Sequence, residues 1–203
     1  MNGSLRLDEL IARCGLDASR AGAEPATSVE YRVRPERTVE LLADTLARLH
    51  EIELTDDECA GAISAPMLAE AIGAAHRSGR LAGQERSPSY AHVSDDRLVE
   101  ILRSGATSSD ERSGTPVLTH GSPTLANLRC SSGSAVGLVT WSDAAVAERY
   151  RDLAIAARSV AVDLAPILVP VFFERYGATS PDAVLLDWYS LAAELWPGAD
   201  PGG

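Results

Sequence analysis

Lysine is absent from this chain: all 18 basic residues are arginine. No side-chain amine is present to hold a phosphate as lysine does, or to form a Schiff base. Aromatic residues supply only 5% of the sequence, so the core must be built from Leu, Val and Ala. No apolar run reaches the ~18–20 residues that span a bilayer, and the first residues lack the basic-then-apolar order of a signal peptide. A cytoplasmic location without a membrane partner is expected. Cys14, Cys59 and Cys130 are odd in number, far apart and without a CxxC pair. That suits a reducing compartment and argues against a disulfide framework or a structural zinc. Positive charge is also scarce. With 29 acidic groups against 18 basic ones, the net charge of −11 argues against nucleic acid and permits a cationic ligand or partner. Surplus acid also simply keeps a protein soluble.

What is present is ordinary in bulk. A hydrophobic share of 45% over 203 residues fits one large domain or two small ones. Leu5, Leu7, Leu10, Ile11 and Cys14 predict a short amphipathic helix over 5–14. Residues 15–33 are rich in Ala, Gly and Ser without a period, and predict a linker or loose cover. Pro35 opens a helix that places Val39, Leu42, Leu46 and Leu49 on one face, with His50 at its end. Thr55-Asp56-Asp57-Glu58 is a capping box. A helix is expected from Pro66 to Ser78, ended by Gly79, followed by a loop over 81–93. Ser94-Asp95-Asp96 should cap a helix through Leu102 with Gly105 at its exit, and 106–114 reads as polar and exposed.

After Gly114 the texture changes. Pro116 to Thr119 reads as a strand entering a loop over 120–127, and 128–130 with 135–139 reads as a hairpin around Ser131–Ser134. Three helices follow, over 146–164, 167–176 and 181–196, before a tail expected to fray. The expected fold class is α+β, mainly α.

The loop carries the chemistry. Kinase-type phosphoryl transfer needs an acid to receive or orient the substrate hydroxyl, an Asn and a second acid to hold magnesium, and positive charge on the phosphates. Val117-Leu118-Thr119-His120-Gly121-Ser122-Pro123-Thr124-Leu125-Ala126-Asn127 reproduces the spacing HGDxxxxN with Ser122 in place of the acid. The following strand ends Gly137-Leu138-Val139-Thr140-Trp141, so Thr140 stands where Asp-Trp would supply the metal acid.

These stretches resemble the aminoglycoside phosphotransferase family, in particular its 3′-phosphotransferase branch. So do the run from Val146 to Ala154, the end from Tyr176 to Trp196, and Leu46-Ala47-Arg48-Leu49-His50. The resemblance implies a protein-kinase-like large lobe over 35–197, a helix and linker over 1–34 in place of most of the small lobe, and a tail over 198–203. It implies ATP and magnesium as cofactors. His120 would brace the loop, with Asp152 and Arg149 as a structural pair beside it. Ser122 would occupy the general-base position, and Asn127 and Thr140 the metal positions. Arg158 and Glu194 match positions near the aminoglycoside pocket, or are salt-bridged helix charges.

A serine hydroxyl is too weak a base near neutral pH, and losing a positioned base costs ~10²–10⁴ in rate. Magnesium prefers charged hard oxygens, which an amide and two hydroxyls do not provide, although Asp143 lies three residues beyond Thr140. No GxGxxG loop is present. The leading expectation is a family member inactive as a kinase. The alternatives are a phosphotransferase with an unusual site or completed by another chain, and a non-catalytic binding or scaffold protein. The scaffold would meet a partner, or a second copy, through an exposed small-lobe interface. A pocket with Glu148, Glu194 and Asp187 for a cationic small molecule is a further possibility.

Overall fold

A computed structural model describes residues 3–19, 22–81 and 86–198, with side chains from residue 7 onward. The described residues form an α+β fold that is mainly helical. The first helix, α1 (Gly3–Cys14), begins two residues earlier than its apolar spacing predicts. Leu10 is buried on its inner face, while the Leu5 side chain lies outside the described residues.

Residues 15–33 are a fitted cover and not a linker. Leu16, Ala18, Ala26 and Tyr31 are buried. A short strand, β1 (Glu24–Pro25), pairs antiparallel with β3 (Leu128–Ser131), which itself pairs with β4 (Ser134–Leu138). On the other side, the Leu138 N–H donates to the Leu16 carbonyl at 2.7 Å and the Ala18 N–H to the Leu138 carbonyl at 2.8 Å. The N-terminal chain thus closes both edges of the hairpin, where unpaired backbone groups would otherwise face solvent or another chain. Periodicity could not show this, because each contact uses only two or three residues. Part of this stretch, 20–21, lies outside the described residues.

After a single turn, α2 (Val29–Arg32), Pro35 occupies the first turn of α3 (Pro35–His50). Val39, Leu42, Leu46 and Leu49 are all fully buried on its predicted face. The capping box forms ahead of α4 (Asp56–Ala60): the Glu58 N–H donates to Thr55 Oγ1, and the Thr55 N–H to Glu58 Oε2. Next comes α5 (Ala65–Arg77), with the left-handed Gly79 just beyond it. The predicted loop after it holds, although 82–85 lie outside the described residues.

The helix α6 (Asp95–Arg112) runs ten residues past its predicted end and through Gly105. That glycine is a packing site: a Cβ there would lie 2.9 Å from Trp188 Cδ1. The indole Nε1–H donates to the Leu102 carbonyl at 2.9 Å. Ala106 and Ser109 are accordingly buried on the inner face of the helix, while Thr107, Ser108 and 110–112 are exposed as expected.

A second sheet joins β2 (Val117–Thr119) to β5 (Ala145–Ala147). The latter was expected as the start of a helix. Three residues are too few to show alternation, and α7 begins only at Tyr150 (Tyr150–Asp163). A 3-10 turn (Pro166–Leu168) leads to α8 (Val169–Tyr176), and α9 (Ala183–Leu195) closes the fold. Two apolar clusters result. One joins α3, α7, α8 and the hairpin to the N-terminal cover, and the other joins α5, α6 and α9. The expected tail falls mostly outside the described residues. No described helix is long and apolar enough to cross a membrane.

Candidate functional site

The loop after β2 rests on one carboxylate. Asp152, in the first turn of α7, is fully buried. It accepts the His120 N–H at 2.7 Å, the Gly121 N–H at 2.8 Å and His50 Nε2–H at 3.2 Å. Burial opposes its ionisation, yet the hydrogen bond from His50 and the charge of nearby Arg151 hold its pKa below the usual value. His50 completes a chain by accepting, at Nδ1, the Tyr176 hydroxyl at 2.8 Å. Burial raises the Tyr176 pKa, which keeps that hydroxyl a donor.

His120 is fully buried against Trp141, their rings edge to face with centroids 4.6 Å apart. Its Nε2–H donates to the Val139 carbonyl at 2.9 Å and its Nδ1 accepts the Ser122 N–H at 3.2 Å. Burial lowers its pKa. The ring is therefore a neutral structural clamp between loop and hairpin, the bracing role expected of it. Gly121 makes the close turn possible. It adopts φ +84°, and a Cβ there would meet the Asp143 carbonyl oxygen at 2.3 Å.

Arg149 does not form the expected pair with Asp152. The brace is Arg151, which donates to Thr119 Oγ1 at 2.8 Å and to the Asp143 carbonyl at 2.7 Å. Arg151 lies seven residues before Arg158, on the same helical face. That spacing is the signal that could have found it. His50 was likewise legible only as a helix end, although it sits four residues after buried Leu46.

The solvent side of the loop is different. Asn127 Nδ2 donates to the Ser122 carbonyl at 2.8 Å and to Ser122 Oγ at 3.3 Å, so the two residues expected at base and metal positions do meet. Thr140 is exposed at φ +68°, a left-handed conformation that β-branched residues rarely adopt. Asp143 Oδ1 accepts Trp196 Nε1–H at 2.9 Å. A magnesium–triphosphate group does not fit these donors: beside the amide of Asn127, two hydroxyls stand where two carboxylates are needed. Among the described residues, no group of three or more His, Cys, Asp and Glu is arranged to hold a metal.

Beside this loop lies a cavity of about 430 Å³ between α7 and α9, bordered by Gly121, Ser122 and Asp143. Arg158 lines it and donates to Glu194 Oε2 at 2.7 Å. The Arg158 side chain is 49% exposed, whereas that of Glu194 is only 3% exposed. Glu194 also accepts the Ser87 N–H at 2.5 Å, so it acts as a buried anchor for Arg158 and does not face the cavity. Nor do the other two acids expected there converge on it. Glu148 is buried and accepts the Gly114 N–H at 2.6 Å, with its pKa raised by burial. Asp187 is exposed outside the cavity lining.

A 3′-aminoglycoside phosphotransferase from Escherichia coli is 35% identical over 81 residues, covering 40% of this chain and 30% of that protein. A second E. coli protein of that description is 31% identical over 80 residues, 39% of this chain and 29% of its own length. The matched stretch is therefore under a third of each relative. Among solved structures, an aminoglycoside phosphotransferase from Streptomyces rimosus superposes with a TM-score of 0.73 at 18% identity, over 85% of this chain and 66% of the other. An aminoglycoside-3′-phosphotransferase of type VIII gives 0.70 at 20% identity, over 86% and 66%. These likenesses establish the kinase-like fold. The profile that describes the phosphotransferase enzyme family matches residues 9–190, and by that match this chain belongs to the family.

Proposed function

We propose that this family member keeps the phosphotransferase scaffold and a ligand cavity but does not itself transfer a phosphoryl group. One observation carries the reading: Ser122 and Thr140 stand at the two positions where the chemistry needs carboxylates, with Asn127 turned onto Ser122. The positive charge needed on a triphosphate is missing as well. The chain has no lysine, and the two arginines that border the cavity are engaged, Arg151 with Thr119 and Asp143 and Arg158 with Glu194.

The test is thermal unfolding with and without millimolar ATP and magnesium, alongside ATP consumption in the presence of kanamycin. A ligand at a hundred times its Kd adds about 2.7 kcal/mol, which shifts the Tm of a chain this size by several degrees. No shift and no consumption are expected. Magnesium-dependent stabilisation together with turnover would overturn the reading.

One observation favours a second reading, a phosphotransferase with an unusual base. Asp143 borders the same cavity as Ser122. Under that reading Asp143→Asn abolishes a measurable turnover, whereas under the first there is none to abolish.

The scaffold reading concerns a partner surface. The most exposed large aliphatics include Val29, Val33 and Ile167, and Ile167 borders a shallow hollow with Arg32 and Pro35. Because the N-terminal cover already seals the hairpin, a monomer is expected by sedimentation at micromolar concentration. A dimer lost on Ile167→Asp would instead support the partner surface.

A further inference from the structure

The cavity beside the loop carries charge of both signs in its lining: Arg151 and Arg158, Asp143 and Asp163. Each of these groups already has a partner within the fold. Arg151 donates to Thr119 Oγ1 and the Asp143 carbonyl, and Arg158 to Glu194. Asp143 Oδ1 accepts from Trp196, and Asp163 Oδ2 accepts the Ser159 hydroxyl at 2.7 Å. A cation entering the cavity would shed water and meet two guanidinium groups. An anion would meet two carboxylates. Neither gains an unshared counter-charge in return, and a desolvated charge without one is costly. An uncharged ligand avoids that cost.

The rest of the lining is amphipathic. Leu68, Ala154, Ile155, Val162, Ala192 and Ala193 supply apolar surface, and Ser122, Thr124, Ser159, Tyr189 and Ser190 supply hydroxyls. Ser159 is used up inside the fold, accepting the Leu125 N–H at 2.9 Å while it donates to Asp163. Ser122 Oγ and Thr124 Oγ1 accept from Asn127, which leaves each an O–H to donate to a ligand oxygen. Burial raises the Tyr189 pKa, so that hydroxyl stays neutral.

Two flat groups complete the lining. The Trp196 indole is pinned at Nε1 by Asp143, and the Arg158 guanidinium is held by the buried Glu194. Both favour the face of an aromatic ring, the indole by offset stacking and the guanidinium by cation–π attraction. The volume of about 430 Å³ lies within the range of pockets that hold drug-sized molecules. We infer that the cavity binds an uncharged aromatic compound, its rings between α7 and α9 beside Trp196 and its oxygen substituents on the Ser122 and Thr124 hydroxyls. This rests on the reading that the chain retains a ligand cavity, but it does not depend on whether phosphate is transferred.

Fluorescence titration of the full chain tests it with two dyes that share one skeleton. N-phenylnaphthylamine is uncharged at pH 7, and anilinonaphthalene sulfonate adds a single negative charge. The uncharged dye is expected to bind at least about tenfold more tightly, and millimolar kanamycin should not displace it. Ala193→Phe, which fills the partly exposed wall on α9, should abolish its binding. Ile155→Ser, on α7, adds no bulk and should weaken it severalfold. Asp163→Asn removes one acid and should narrow the gap between the dyes. Ile167→Ser, in the separate hollow beside Arg32 and Pro35, should change nothing, which separates a site from general adhesion to exposed apolar surface. Equal binding of the two dyes, displacement by kanamycin, an unchanged gap in Asp163→Asn, or loss in Ile167→Ser would each overturn the inference. If only kanamycin or the sulfonated dye binds, and Ala193→Phe abolishes it, the ligand cavity stands and this ligand class falls. If no probe responds to either cavity variant, both fall. ATP turnover would overturn the function proposed above and leave the dye selectivity untouched.

Discussion

The two sides of the loop over residues 120–127 lie a single peptide layer apart and are built to different standards. Beneath it, Asp152 answers three donors, His120 both accepts and donates, and His50 links the carboxylate to Tyr176. Every one of these polar atoms has its partner, as a buried network must if it is to stabilise and not strain a fold. Above it, the side chain of Asn127 turns onto Ser122, and Thr140 is held in an unsuitable backbone conformation. The lower side sets the position of the chain, while the upper side would do chemistry if its acids were present. Loop geometry and catalytic capacity are therefore separable properties, because the groups that fix the first are not those that supply the second.

The largest effect should come from breaking the lower side. Asp152→Asn puts an amide NH₂ where one backbone N–H now donates, and it removes the charge that His50 faces. Weakening these charge-assisted hydrogen bonds costs about 1.5–3 kcal/mol each, to be read by urea unfolding at pH 7. The pH dependence has a definite sign. Because the folded pKa of Asp152 is lowered, its contribution is present above the unfolded value near 4 and is lost as pH falls through the folded one. The wild-type chain should lose stability on the acid side of pH 4 more steeply than the variant. Equal acid limbs would show that the carboxylate does not carry this network.

A smaller effect is expected where the N-terminal cover meets the hairpin. Gly137 adopts φ +155°, and a Cβ there would sit 2.1 Å from the Leu16 carbonyl oxygen. Gly137→Ala forces backbone against backbone and should cost about 1–3 kcal/mol, the usual range for overpacking. Hydrogen exchange should speed up at the Ala18 and Leu138 amides while the α7 amides remain protected. Uniform acceleration would instead mean that the cover and the loop brace unfold as one unit.

How much of this could be read beforehand differs between the two sides for a physical reason. The solvent side was legible as spacing, because HGSxxxxN and the terminal Thr140-Trp141 are contiguous sequence. The brace was only half legible. Asp152 and His120 could be placed by resemblance and Arg151 by its spacing to Arg158, but His50 and Tyr176 join the brace from α3 and α8, and no local pattern records a contact across 102 or 126 residues. Helices with a long apolar stripe, such as α3, were clear in the sequence. Gly105 misled because helix exit and close helix packing ask for the same residue. The strands β1 and β5 are two and three residues long, too short for any period to show.

The upper side can also be improved without touching the lower. At φ +68° Thr140 bears the cost of a left-handed conformation, about 1–2 kcal/mol for an ordinary L-residue. Asn tolerates that region far better. Thr140→Asn should therefore raise the Tm by roughly 2–4 °C, the shift that about 1 kcal/mol gives at this chain length. Thr140→Val, which keeps the branch and loses the hydroxyl, should give no such gain.

Activity is where the smallest change is expected. The paired substitution Ser122→Asp with Thr140→Asp restores both carboxylates, and its second half also suits the left-handed backbone. If catalysis were limited by those two groups alone, ATP consumption should appear, since a positioned base contributes ~10²–10⁴ and a held metal several kcal/mol more. Two added carboxylates also raise the negative charge that a triphosphate must approach, in a chain with no lysine to offset it. Arg151 is already engaged with Thr119 and Asp143, and Arg158 with Glu194. Freeing either one breaks a contact that holds α7 in place. The pair should therefore raise the Tm slightly and leave ATP consumption at background. Magnesium-dependent consumption by this variant would show that the upper side lacks only its acids, and that phosphate binding draws on groups other than these arginines.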